Sequence, residues 1–286
     1  MKKMKRYFIF WCLVFIFLMM YVYINNIQKV KYQTEIHFLK LPTGDCTLIK
    51  AIDQVILIGE AGEKDSKHIS QYLDKQKIDH ITELIITNPN QENIIGFSPI
   101  LQKLKIDKIY LPHVVDLDTD TINFLKRANE KETSIYQIKG KEKWTINHWS
   151  LLFLRPLTKS TIPESEKKAI IKLNLPKHSI LWIPNIVEMD KMDLLLDSKE
   201  LKADILKIAG HNREILLTKD FLDVVQPKTI IFGDVKKVKE AELRAIYKWN
   251  SSTKILSVEN EGDIIFYGKG NKYNITSKRM INIRIQ

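Results

Sequence analysis

Residues 84–97, L-I-I-T-N-P-N-Q-E-N-I-I-G-F, hold the densest group of side chains that could do chemistry. Leu84-Ile85-Ile86-Thr87 is short, apolar and partly β-branched, which reads as a buried strand. It passes without a spacer into Asn88-Pro89-Asn90-Gln91-Glu92-Asn93, and Ile94-Ile95-Gly96 leads on into a helical pattern. Polar groups at a strand end just before a helix are where α/β folds place ligand sites. The residue types limit what such a site does. Carboxamides donate and accept hydrogen bonds. Zinc takes imidazole, thiolate or carboxylate donors, usually three or more, and Glu92 is the one such donor in this run. The same residues also suit an ordinary polar loop in which Asn90 or Asn93 caps the helix that follows.

Few other residues are placed for catalysis. The seven histidines include no two closer than 12 residues, so there is no His-x-His or His-x-x-x-His pair. Cys12 lies in an apolar run, apart in setting from Cys46, and no disulfide between them is expected. Asp116, Asp118 and Asp120 alternate as in a calcium loop, but the glycine and glutamate of that loop are missing, so they read as a solvated helix start. Glycine-rich phosphate loops and a Gly-x-Ser-x-Gly elbow are absent from the sequence.

The net charge of +11 sits at the two ends. Residues 1–31 hold six basic residues and no acid, residues 264–286 hold five and no acid, and residues 32–263 sum to zero. A nucleic-acid-binding domain usually carries its own basic face; basic ends suit an anionic lipid or envelope polymer better. Residues 7–24 contain no charge, glycine or proline, and as a helix would span about 27 Å, close to a bilayer core. Ile24-Asn25-Asn26-Ile27 offers no small-residue cleavage site, which predicts an uncleaved single-pass anchor. Lysines and Arg6 before the run outnumber Lys29 and Lys31 after it, so the N-terminus is expected in the cytoplasm and the rest of the chain outside. The expected divisions are a basic stub 1–6, an anchor 7–24, a linker 25–34, a folded domain 35–267 and a basic tail 268–286.

The domain is patterned as a mixture of strands and helices. Glu35–Leu39, Thr47–Lys50 and Gln54–Ile58 read as strands around the turn that carries Asp45. Lys67–Lys77, Ile94–Leu104 and Asp116–Ala128 have helical spacing, and Ile106–Leu111 alternates as a strand between the last two. Successive strands are predicted from Ser134 to Ile183, then a helix over Asp220–Val225, a strand to Phe232, a helix over Glu240–Trp249 and two closing strands.

Several of these segments resemble the metallo-β-lactamase superfamily, and within it the domain of the DNA-uptake competence proteins. That domain has Thr-His-Pro-Asp-x-Asp-His-Ile-Gly-Gly after such a strand; Thr87, Pro89, Ile94 and Gly96 fit it, while Asn88 and Asn93 stand for histidines and Asn90 and Glu92 for aspartates. Phe38, Leu39, Gly44 and Asp45 match Phe-Leu-Asp-Val-Gly-Gln-Gly-Asp, and Gly59 or Glu60 stands at a further aspartate. Ile183-Pro184-Asn185 replaces a strand leading to Thr-Gly-Asp. Asp204, Leu206, Lys207 and His211 match Ala-Asp-Val-Leu-Lys-Val-x-His-His, with Gly210 at one histidine of the pair. The resemblance implies an α+β, four-layer αββα sandwich behind the N-terminal helix. It implies a remnant pocket of Asp45, Glu60, Asn88, Asn90, Glu92, Asn93, Asn185 and His211 without metal. The alternative it leaves open is a hydrolase of nucleic acid or phosphoester using a single divalent metal such as magnesium or manganese.

Overall fold

In a computed structural model the described residues are 2–31, 34–112, 118–146, 149–155, 168–175, 178–184, 198–209, 217–233, 240–269 and 272–277. The alternating N-terminal segments pair as an antiparallel meander of β1 (Thr34–Leu39), β2 (Asp45–Ala51) and β3 (Gln54–Glu60). The chain then winds through α2 (Ser66–Lys75), β4 (His80–Ile86), α3 (Gln91–Ile94), α4 (Ser98–Lys103), β5 (Lys105–Leu111), α5 (Thr119–Glu130) and β6 (Ser134–Gln137). Here β3, β4, β5 and β6 are parallel neighbours, each pair joined by helical crossovers.

The second sheet starts antiparallel, with β7 (Lys143–Ile146), β8 (Trp149–Arg155), β9 (Ile170–Asn174) and β10 (Ser179–Ile183). It ends parallel, with β11 (Ile205–Ile208), β12 (Thr229–Phe232) and β13 (Lys254–Ser257). The helices among these are α6 (Ser198–Leu201), α7 (Lys219–Val225), α8 (Glu240–Trp249) and the single turn α9 (Val258–Glu261). The chain then returns to the first sheet, where β14 (Ile264–Lys269) pairs with β1 and β15 (Lys272–Ser277) with β14. The orders are β15-β14-β1-β2-β3-β4-β5-β6 and β13-β12-β11-β10-β9-β8-β7.

Strand periodicity divides the apolar residues into three layers. Ile36, Phe38, Ile56, Ile58 and Ile85 of the first sheet meet Leu151, Phe153, Ile171, Trp182 and Ile231 of the second. The alternate residues Leu48, Leu57, Leu84 and Ile86 face outward onto Ile69, Leu73, Leu101 and Phe124 of the first helical layer. Leu181, Leu206 and Ile230 face Phe221, Leu222 and Ile246 of the other. The result is the expected αββα sandwich. One hydrogen bond crosses its middle, from Trp182 Nε1 to Thr47 Oγ1 at 3.1 Å, between buried side chains.

Several details differ from the sequence reading. The expected helix 94–104 is broken into α3, a 3₁₀ turn at Ile95–Phe97 and α4, with Pro99 in the first turn of α4, where its missing N–H costs nothing. Asn90 occupies the N-cap position of α3 but its side chain makes no capping bond. Asp118 does cap: it accepts from Thr121 N at 2.8 Å. The pairing of β14 with β15 carries the sheet to Ser277, beyond the domain boundary expected at residue 267, because Ile275 packs against the inter-sheet core. Residues 278–286 lie outside the described ones. The helix α1 runs Lys2–Lys31, and its described side chains, Tyr7 and those of 10–23, are all exposed. Among the described residues no helix is long and apolar enough to cross a membrane.

A fully buried carboxylate fixes the loops at one end of the first sheet. Asp65 accepts from Thr43 N at 2.8 Å, Thr43 Oγ1 at 2.7 Å and Gly62 N at 2.8 Å. It thereby ties the β1–β2 turn to the segment after β3. Asp65→Asn places an N–H₂ among these donors, and a buried donor left without an acceptor costs about 1–3 kcal/mol. The variant should lose about that much stability in denaturant unfolding at neutral pH.

Candidate functional site

The inner faces of both sheets end in polar residues at the same end of the sandwich. Along β2 the inward positions run Ile49, Thr47, Asp45; along β3 they run Ile56, Ile58, Glu60; along β11 they are Ile205 and Lys207. The antiparallel register of β2 and β3 sets Asp45 directly opposite Glu60. Thr87, at the end of β4, and Trp182 of β10 join Asp45, Glu60 and Lys207 in lining one pocket. Glycine makes the close approach possible. Gly59 has φ +149°, and a Cβ there would lie 2.0 Å from the Asp45 carbonyl oxygen. Gly96 lets the loop after β4 dock: Ala61 N donates to Asn93 O at 2.8 Å and Gly96 N to Ala61 O at 2.9 Å.

The charges are arranged as two carboxyls and one ammonium. Lys207 is 2 % exposed; its Nζ donates to Asp45 Oδ2 and to the Ile208 carbonyl, the latter at 3.1 Å. Asp45 therefore serves as the counter-ion of a buried lysine. Glu60 is buried, and burial, followed by the neighbouring Asp45 charge, pushes its carboxyl above the usual carboxylate range. A hydrogen bond from Asn88 and the cations Lys168 and Lys207 act the other way. Asn88 is itself buried, and its Oδ1 has no hydrogen-bond partner.

Of the eight residues expected in the pocket, the fold brings together Asp45, Glu60 and Asn88. Asn90 and Glu92 are exposed on the loop. Asn93 is half-buried, and its recorded bonds here are through the backbone, to Ala61 and Asn90. Asn185 and His211 lie outside the described residues, although Pro184 and Ala209, close to them in the chain, line the pocket. Trp182 was not singled out in the sequence, and Lys207 was matched to a family motif but not placed in the pocket; both line it. The signal was the one lysine in the apolar strand I-L-K-I, since a buried ammonium needs a carboxylate partner.

The described residues do not fit a metal centre. Among them there is no group of three or more His, Cys, Asp and Glu that could hold one. Asp45 is taken by Lys207, and beside Glu60 the Asn88 carbonyl is a weak donor. The described side chains present hydrogen-bond donors and acceptors beside Trp182.

The raised Glu60 carboxyl has a consequence for stability. The folded chain holds this proton more tightly than the unfolded chain does, so the contribution is full below the unfolded carboxyl pKa, about 4.3, and is lost as pH rises through the folded value. Glu60→Gln keeps an acceptor for Asn88 and removes the titration. It should raise stability at neutral pH and flatten the fall in stability between acidic and neutral pH, as read by urea midpoints across that range.

No family model matches the chain. ComE operon protein 3 of Bacillus subtilis is 21% identical over 169 residues, which cover 58% of this chain and 22% of that protein. The chain thus spans less than a quarter of the length of that relative. Among solved structures, the metallo-β-lactamase fold protein YhfI from Bacillus subtilis superposes with a TM-score of 0.55 at 11% identity, covering 82% of this chain and 100% of YhfI. A variant of the β-hydroxylase CmlA gives 0.55 at 10% identity, covering 81% of this chain and 53% of that one. At such identities the likeness concerns the fold. With its two sheets, their strand orders and the helical layers on both outer faces, the chain has the metallo-β-lactamase fold.

Proposed function

We propose that this chain is a membrane-anchored, metal-free pseudoenzyme of the metallo-β-lactamase fold, acting as a binding or accessory module at the cell envelope. The observation that carries the reading is a carboxamide, Asn88, buried beside Glu60 where the family resemblance implies a histidine ligand. A protein ammonium already compensates one carboxylate, and burial shifts the Glu60 carboxyl upward. Two metal ions would add +4 to a site whose described side chains offer little anionic compensation. The amides at positions 88, 90, 93 and 185, where the family resemblance implies charged or imidazole ligands, agree with this. A hydrolase site drawn from Asp45, Glu60, Glu92 and His211 has less support, because Asp45 is ion-paired and Glu92 is exposed.

Anchoring is supported by the uncharged run 7–24 within the helix Lys2–Lys31, whose described apolar side chains find no cover in the chain itself. The excess of basic residues before the run supports an orientation with the domain outside the cytoplasm. The basic C-terminal residues Lys269, Lys272, Lys278, Arg279 and Arg284 would meet anionic lipid or envelope polymer. The likeness to a competence protein makes nucleic acid a further class of partner to assay.

Elemental analysis and an activity assay test the reading together. The full chain should remain in the membrane fraction after an alkaline wash. Extracted in detergent without chelator, it should carry far less than one zinc, manganese or magnesium per chain and show no phosphodiesterase turnover with any of them. Near-stoichiometric metal, with turnover abolished by Glu92→Gln and by His211→Ala, would establish the hydrolase instead.

A further inference from the structure

A chain of buried polar groups lies beneath α2, apart from the pocket. On β1, His37 stands directly opposite Leu48 of β2, and Leu48 faces the first helical layer, so the imidazole points to the same side. The histidine is 2 % exposed. Its Nδ1 lies 2.7 Å from the Tyr72 hydroxyl of α2, and its Nε2 lies 3.2 Å from Glu35 Oε2. Lys50 Nζ donates to the same Glu35 oxygen at 3.1 Å, and to Gln76 Oε1 at the C-terminal cap of α2 at 3.2 Å. The second half of α2 is thus tied to the sheet through Tyr72 and through Gln76, and both tethers end at Glu35.

The donor and acceptor roles follow from the chemistry of the groups. Burial opposes the charge of Glu35, but the hydrogen bonds and charges of Lys50 and His37 outweigh it and hold the carboxyl below its usual range. A carboxylate only accepts, so Nε2 carries the imidazole proton. Nδ1 of the neutral ring is then an acceptor, and the Tyr72 O–H donates to it. Burial, followed by the charge of Asp263, holds this phenol well above its usual value, so it stays a donor.

A second proton on His37 reverses one of these roles. Both ring nitrogens would donate, the Tyr72 hydroxyl would have to turn away, and an imidazolium and the Lys50 ammonium would share one carboxylate oxygen. The charged and titratable groups facing the ring are Glu35 on β1, Lys50 on β2, Tyr72 on α2 and Asp263 ahead of β14. Asp263 Oδ1 already accepts from Lys40 N at 3.0 Å. Burial, with Lys50, outweighs the two carboxylates and holds the imidazole below its usual value. The tether's contribution is therefore present above the ordinary histidine pKa, about 6.5, and is lost as pH falls through the lower folded value.

We propose that His37 is an acid-released latch, whose protonation frees the Tyr72 hydroxyl and loosens the second half of α2 from β1 and β2. The other end of the same helix begins at Asp65, which holds the β1–β2 turn and Gly62 at the pocket end of the sheet. A looser α2 is thus a change in the element that anchors those loops.

Hydrogen exchange of the full chain in detergent, read by mass spectrometry at pH 7.5 and 5.0 and corrected for intrinsic exchange rates, tests this. Protection of residues 69–76 should fall several-fold more on acidification than that of α5, which makes no contact with His37 in this network. In His37→Gln the amide can still donate to Glu35 and accept from Tyr72 but takes no proton, and α2 should then respond as α5 does. Tyr72→Phe, which has no hydroxyl to release, should start at pH 7.5 from lower protection and lose less of it on acidification. Equal responses of α2 and α5 in the unaltered chain, or an acid response of α2 as large in either variant as in that chain, would overturn the proposal.

Discussion

The arrangement of the site depends on one buried ion pair that joins the two sheets. Asp45 opens β2 in the first sheet and Lys207 lies in β11 of the second, and the pair closes the polar end of the inter-sheet core. Each charge would be costly there alone; together, with the Ile208 carbonyl as a second acceptor for the ammonium, they are compensated. Trp182 and Thr47 make a neutral bond between the same two sheets, one inward position deeper on β2. These two contacts set where β2, β10 and β11 end relative to one another, and so set the walls of the pocket.

The pair also fixes what the pocket can hold. Asp45 and Glu60 face each other across the β2–β3 ladder, and like charges in that position are destabilising. The structure offsets this by giving Asp45 an internal cation, and burial shifts the Glu60 carboxyl upward. Asn88 lies beside Glu60 and keeps a carbonyl unpartnered. Here the protein's own ammonium offsets the Asp45 charge.

Much of the architecture was legible because it rests on local pattern. Period-two alternation in residues 35–58 and helical spacing in 67–77 and 240–249 report which faces are buried and give a mixed α/β domain; the four-layer sandwich was implied by the family resemblance. The site was legible in part. Asn88 follows a strand end, where position suggests function, and Glu60 was reached only through the family resemblance. The role of Asp45 was not readable, because its partner is 162 residues away and is a single lysine in an apolar strand. The exposure of Asn90 and Glu92 and the backbone role of Asn93 come from the path of the loop, which Gly96 sets by close backbone contact with Ala61. The strand β15 was hidden by its lysine-rich surroundings, since alternation over Tyr273 and Ile275 is a weak signal until β14 supplies a partner.

The account stands most directly on the coupling between Asp45 and Lys207. A double-mutant cycle of Asp45→Asn and Lys207→Met, followed by chemical unfolding at neutral pH, measures it. Removing either partner alone leaves an uncompensated buried charge and should cost about 3–5 kcal/mol. The double variant should cost clearly less than the two together, with a coupling of about 2 kcal/mol or more. Additive losses would contradict the account, because they would mean that the two charges do not compensate each other and that the pocket is organised by something else.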